Sequence, residues 1–194
     1  MYKINPKNVF IHEQVKQNPA WLARADALCA GLGEAGKSPI YFTDDDIPAL
    51  AKEHNWAQAR RRMGHDPDLT DPDILINAFT LDDSNVDKVK EIQEQAGDAR
   101  GIVPVVMGRG AYVFFDAMLP SDVYKDDKVC RPAWRIHMGS GCPHRCCYCS
   151  FGHLYPTMVN VEEYIVELDR IVKAHPWQQV YLYEDDAEAL ALEP

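Results

Sequence analysis

The chain has no stretch of about 18 consecutive apolar residues, the length a helix needs to cross a bilayer, so none of its 194 residues reads as part of a membrane-spanning helix. Its opening, Met-Tyr-Lys-Ile-Asn-Pro-Lys, lacks the apolar core of a secretory signal. A basic excess is missing too. Lys and Arg number 20 against 30 Asp and Glu, a formal net charge of −10, whereas a dedicated nucleic-acid binder needs a concentrated cationic surface to neutralise phosphates. The one basic run, Arg60-Arg61-Arg62, reads as a solvated helix end, with DNA contact as the sharper alternative. Cysteine is scarce away from one place: four of the six fall inside residues 142–149, a poor arrangement for disulfide staples, while Cys29 and Cys130 stand alone as ordinary thiols. What the chain does have is 46% hydrophobic and 26% charged residues, enough for a core and a solvated surface. A cytoplasmic protein without a membrane partner is expected.

The cysteine cluster is Gly141-Cys142-Pro143-His144-Arg145-Cys146-Cys147-Tyr148-Cys149. Three of its thiols have the spacing C-x-x-x-C-x-x-C, with an aromatic residue before the last. Thiolates ligate iron–sulfur clusters, and a four-iron cubane ordinarily takes four of them. Three would leave one iron open to chelate a small molecule. A zinc site is the main alternative, drawing on Cys146 and Cys149 with His144 and His153 nearby, but zinc sites usually combine two separated ligand pairs and no second Cys-x-x-Cys pair exists here. A dithiol redox motif of Cys146 and Cys149 would leave Cys142 without a purpose. Cys147 fills a spacer position.

Periodicity predicts an α/β chain in two regions. In residues 1–120, a strand is expected within 8–15, a helix over 19–30 with Trp21, Leu22, Ala25 and Leu28 on one face, and a second helix opening at Thr43 and ending near the arginine run. A strand over 74–81 and a helix capped by Ser84 and ended by Gly97 follow, then two β runs, 101–107 and 111–115, turned into a hairpin by Gly108-Arg109-Gly110. Residues 121–133 read as a linker. In 134–194, a strand at 134–138 delivers the chain into the cysteine segment. The next element is a helix from Asn160 with a capping box to Glu163 and a stripe of Val161, Tyr164, Ile165, Leu168, Ile171 and Val172; a strand over 179–183 ends the unit. A strand–loop–helix–strand unit of this kind builds parallel barrels, whose ligands sit at the carboxyl ends of the strands. The cysteine segment and the acidic run Glu184-Asp185-Asp186 both follow such ends.

The cysteine spacing resembles the cluster-binding loop of the radical S-adenosylmethionine superfamily. The resemblance implies that Cys142, Cys146 and Cys149 ligate a 4Fe–4S cluster whose fourth iron binds S-adenosylmethionine, with Tyr148 beside its adenine. The segments Pro6-Lys7-Asn8-Val9-Phe10-Ile11-His12-Glu13, Gly139-Ser140-Gly141-Cys142-Pro143 and Ala189-Leu190-Ala191-Leu192 resemble the spore photoproduct lyase family. That likeness implies a lyase acting on a thymine photodimer in DNA, and a reductant such as flavodoxin or ferredoxin. Where the superfamily carries a Gly-Gly-Glu-type segment for the cofactor's amino group, this chain has Tyr183-Glu184-Asp185-Asp186-Ala187-Glu188; Glu184 and Asp185 would bind the cofactor there, Asp185 standing for the Glu. The paired glycines are absent, as is any cysteine after Cys149 that would match the family's hydrogen-atom donor.

Such barrels have about six strands by the same resemblance, and the chain supplies the first strand–helix–strand unit. The expectation is therefore an incomplete barrel with little activity alone, completed by a downstream polypeptide. A non-catalytic interaction module built on zinc or a degenerate cluster is the competing expectation.

Overall fold

The computed structural model describes residues 4–58, 71–109, 113–116, 133–141, 154–176 and 181–183. Strand β1 (Val9–His12) is buried along its whole length. It passes through a 3-10 turn, Glu13–Gln17, into helix α1 (Pro19–Gly31), which starts at Asn18: the Asn18 side chain accepts from the Ala20 N–H, and Pro19 sits in the first turn where its missing N–H has no partner to lose. A short helix α2 (Gly33–Lys37) leads to β2 (Ile40–Phe42). Thr43 then opens the next segment by a reciprocal capping box with Asp46, and α3 (Ile47–Glu53) follows. Strand β3 (Asp73–Asn77) is again wholly buried. Helix α4 (Val86–Gln95) ends before Gly97, whose φ of +54° suits glycine.

β1, β2, β3 and a fourth strand, β6 (Leu154–Met158), form one parallel sheet in the order β2-β1-β3-β6. Buried on both faces, β1 and β3 read as near-continuous apolar runs, as parallel strands do. Their side chains alternate between two cores. Val9, Ile11, Ile74, Ile76 and Tyr155 face α1 and α2, packing with Val15, Ala25, Cys29 and Leu32. Phe10, Leu75 and Leu154 face the other way, against Phe42, Ile47, Trp56, Val89, Ile92, Val103 and Met107. Helices thus cover the sheet on both sides, and the α/β class expected from the sequence is the one observed. A second, three-stranded sheet joins β4 (Val113–Asp116) antiparallel to β5 (Ala133–Ile136), and β5 parallel to β7 (Tyr181–Tyr183). Helix α6 (Val161–Ala174) lies between β6 and β7 in the chain.

Several expectations are corrected. Residues 101–107 are not a strand and form no hairpin: a 3-10 turn, Gly97–Gly101, runs into helix α5 (Val103–Val106). Val103, Val106 and Met107 repeat at helical spacing and are buried in the core; Pro104 falls in the first turn, where helices tolerate it. Ser84 does not cap α4; it bonds to Asp82, and the N-cap is Asn85. The capping box at α6 is absent because the Asn160 side chain is engaged elsewhere, accepting from the Phe79 N–H at 2.6 Å and donating to its carbonyl at 3.1 Å. The helix expected to begin at Asn160 is preceded by β6, a strand not anticipated. Pro156 sits inside it, and a strand containing proline is confined to an edge, the place β6 occupies. Arg60, Arg61 and Arg62 lie outside the described residues.

Candidate functional site

The cysteine-bearing segment is held by its two ends. On the incoming side the chain leaves β5 at Ile136 and runs through His137, Met138, Gly139 and Ser140 to Gly141; on the outgoing side it resumes as β6 at Leu154. These two stretches pair antiparallel. Gly139 bridges Thr157, the Ser140 N–H donates to the Pro156 carbonyl at 3.0 Å, and the Met158 N–H donates to the Met138 carbonyl at 2.8 Å. The stem is tight at its open end, where Gly141 has a φ of +100° and a Cβ built on it would stand 2.7 Å from the Leu154 carbonyl oxygen. Residues 142–153, which carry Cys142, Cys146, Cys147, Tyr148 and Cys149, therefore begin and end at adjacent points of backbone. Those residues, with His144 and His153, lie outside the described residues.

A second convergence comes from the register of the smaller sheet. Trp134, Arg135 and Ile136 of β5 pair in parallel with Tyr181, Leu182 and Tyr183 of β7. The carboxyl ends of these strands are side by side, one leading toward Cys142 and the other into Glu184. Glu184, Asp185 and Glu188 lie outside the described residues.

The stem is packed from behind by α6. Its Tyr164 hydroxyl accepts from the backbone N–H of the buried His137 at 3.1 Å, and the Tyr164 ring stacks on Phe79, with centroids 4.7 Å apart. Beyond the far end of β6, Val159 donates its N–H to the Asn77 carbonyl at 2.9 Å, and the Arg24 guanidinium donates to the Val159 carbonyl at 2.8 Å while pairing with Glu162. The Arg24 hydrogen bonds hold the Glu162 carboxyl below the ordinary carboxylate range, and Glu162 in turn raises Arg24. One exposed ion pair thus ties α1 to the first turn of α6, where the helix dipole also favours a carboxylate.

The carboxyl ends of β1 and β3 mark the point where the strand order reverses, the usual ligand crevice of an open parallel sheet. Here that place is filled by side chains that satisfy one another. The His12 Nδ1 accepts from the Gln14 N–H at 3.2 Å, which leaves the proton on Nε2 to donate to Asp44, also at 3.2 Å. Gln14 donates to Asn77 at 2.5 Å and to the Ala78 carbonyl at 3.2 Å; Asn77, wholly buried, donates to the Val106 carbonyl at 2.6 Å. Sequence reasoning missed this network. Its signal was Asn77, a polar residue closing an otherwise apolar run, Ile74-Leu75-Ile76. At the opposite end of the sheet the buried Asp73 accepts from the Asn8 amide at 2.9 Å and from the Trp56 indole at 3.4 Å, with His54 Nδ1 at 3.9 Å.

Among the described residues no group of three or more His, Cys, Asp or Glu side chains is placed to hold a metal ion, and no helix is long and apolar enough to cross a membrane. No family model, curated protein or solved structure matches the chain.

Proposed function

We propose that the chain is an iron–sulfur protein of the radical S-adenosylmethionine type, resembling the spore photoproduct lyases, with Cys142, Cys146 and Cys149 as the ligands of a 4Fe–4S cluster. The observation that carries the reading is the C-x-x-x-C-x-x-C spacing, with Tyr148 before its last thiol, inside a segment whose ends are held together at Gly141 and Leu154. Three thiolates in this spacing, with Cys147 as a spacer, form a donor set that suits a cubane with one open iron, the position S-adenosylmethionine takes. Held by Cys142, Cys146 and Cys149 and reduced, such a cluster would supply the electron for cleavage of S-adenosylmethionine to methionine and a 5′-deoxyadenosyl radical.

The protein's own part is to hold, orient and enclose. The β5–β7 pair sets Ile136, six residues before Cys142, beside Tyr183, the residue before the acidic run, so Glu184 and Asp185 are the side chains proposed for the cofactor's amino group, where charge-assisted hydrogen bonds would hold it. In this reading β5, α6 and β7 open a partial barrel, and a flavodoxin- or ferredoxin-like donor delivers the electron. The substrate class that goes with the resemblance is a photodimer in DNA. The chain is placed in the cytoplasm, where its thiols stay reduced.

Metal analysis after anaerobic reconstitution tests the reading. Iron and sulfide at about four each per chain, the stoichiometry of a cubane, support it. The second reading, a non-catalytic module, rests on His144 and His153 flanking Cys146 and Cys149, which completes a zinc donor set; one zinc and no sulfide would establish it instead.

A further inference from the structure

We propose that Gly141, seconded by Gly139, is a positioning residue that latches the two ends of the cysteine-bearing segment together, and that metal uptake depends on this latch. The inference rests on the reading of Cys142, Cys146 and Cys149 as ligands. Gly141 is immediately before the first of them. Its backbone has a φ of +100°, a region that side chains on L-residues disfavour, and any Cβ would stand 2.7 Å from the Leu154 carbonyl oxygen and 3.5 Å from the Tyr155 Cα. The obstacle, the Leu154 carbonyl oxygen, is backbone, so a rotamer change does not relieve it.

The opposing strand has little freedom to give way. Leu154 is buried in the core and paired with Asp73 of β3, and Tyr155 is buried on the other face and paired with Ile74. A side chain at 141 must therefore push the incoming chain outward, away from Leu154. Gly139 repeats the arrangement in milder form: a Cβ there would stand 3.0 Å from the Pro156 carbonyl oxygen and 3.2 Å from the Tyr155 ring. The two glycines flank Ser140, whose N–H makes the 3.0 Å bond to Pro156 that closes the stem between them.

The consequence for the ligands follows from loop closure. Three thiols within eight residues must converge on one cluster, and a segment whose ends are already joined has less conformational freedom to lose when it does so. Groups that orient metal ligands are typically worth 10- to 100-fold in metal affinity, and the latch belongs with them.

The test uses the full chain, reconstituted anaerobically with iron and sulfide. Gly141→Ala is compared with Gly97→Ala, which carries the positive-φ penalty, φ +54°, with nothing within 4 Å of its Cβ. Gly141→Ala is expected to lower iron affinity by about tenfold or more, the range for outer-shell groups, and to alter the electron paramagnetic resonance signal of whatever cluster forms. Gly97→Ala should lower the melting temperature and leave iron uptake at the parent level. Amide exchange over residues 138–141 and 154–159 should accelerate in Gly141→Ala alone. Parent-like iron affinity with unchanged exchange in Gly141→Ala overturns the latch. If the parent chain takes up no iron, the cluster reading fails, and the latch is judged on exchange: acceleration confined to the stem supports it, unchanged protection refutes it. Should Gly141→Ala not fold, Gly139→Ala decides, since a partial loss of iron there, absent in Gly97→Ala, supports the latch and parent behaviour overturns it.

Discussion

Cys142, Cys146 and Cys149 are separable from Cys147 by chemistry alone. A cubane reduced to two protein ligands is poorly held, so Cys142→Ala, Cys146→Ala and Cys149→Ala should each abolish the brown absorbance of the reconstituted protein, and Cys147→Ala should leave it. Equal loss in all four would remove Cys147 from its spacer role. The single residues that stabilise the fold were harder to see. Asn77 stands in the sequence as an interruption of an apolar strand, yet in the structure its amide accepts from Gln14 and from the Ala78 N–H and donates to the Val106 carbonyl, without exposure to water. Asn77→Ala takes this partner from two buried groups, the Ala78 N–H and the Val106 carbonyl, while half-buried Gln14 keeps the Ala78 carbonyl, and by the cost of unsatisfied buried partners it should destabilise the chain by about 2 to 3 kcal/mol in urea unfolding. A value near zero would show that water replaces the amide. Sequence pattern marks where an Asn breaks a period; it does not say which three elements the side chain will join, because those partners lie 29 and 63 residues away.

At the scale of elements, what was legible followed the strength of the apolar period. β1 and β3 were expected because buried parallel strands are uninterrupted apolar runs, and α1 because Trp21, Ala25 and Leu28 repeat at helical spacing with a proline in the first turn. Short elements misled. Val103-Pro104-Val105-Val106 has the composition of a strand and becomes a single helical turn, since four residues are too few for composition to outweigh packing against Ile92 and Trp56. β6 escaped because Pro156 argues against a strand unless that strand is an edge, and edges are a property of topology. Register was not legible either: that β5 and β7 end together at Ile136 and Tyr183 emerges only from the paired strands. The tie between α1 and α6 offers a test in pH. Glu162 is held below its ordinary value of 4.5 by Arg24, so its contribution is present above the unfolded value and lost as pH falls through the folded one. Glu162→Gln should lower the melting temperature slightly near neutral pH, with the two proteins converging in acid well below pH 4.5; the effect should shrink in high salt, because the pair is exposed. No difference at any pH would assign the tie to the Val159 carbonyl contact alone.

For the molecule as a whole, the decisive feature is that β6 follows the cysteine segment in the chain but belongs to the first sheet. Five residues of β6 pair with the five of β3, from Asp73 opposite Leu154 to Asn77 opposite Met158, and Tyr155 and Leu154 fill one core each. A chain ending at residue 133 would contain α1 to α5 and the strands β1, β2 and β3 of the first sheet, yet it would leave β3 with one row of unpaired backbone groups beside an apolar face that β6 and Asn160 now cover. Such an edge is a template for aggregation. Residues 1–133 expressed alone should therefore be insoluble or self-associated, whereas 1–176, which restores β6 and α6, should give a soluble chain with a single unfolding transition. A monomeric 1–133 fragment with a cooperative melt would show that the first region closes without β6. The same pairing couples the proposed cluster to the sheet. Ligands that bind only the folded state stabilise it by mass action, and residues 142–153 lead directly into β6, so reconstitution with iron and sulfide should slow amide exchange in β3 as well as in the stem. Protection that rises only at residues 138–141 and 154–159 would confine the cluster's influence to its own loop and separate the two halves of the molecule energetically.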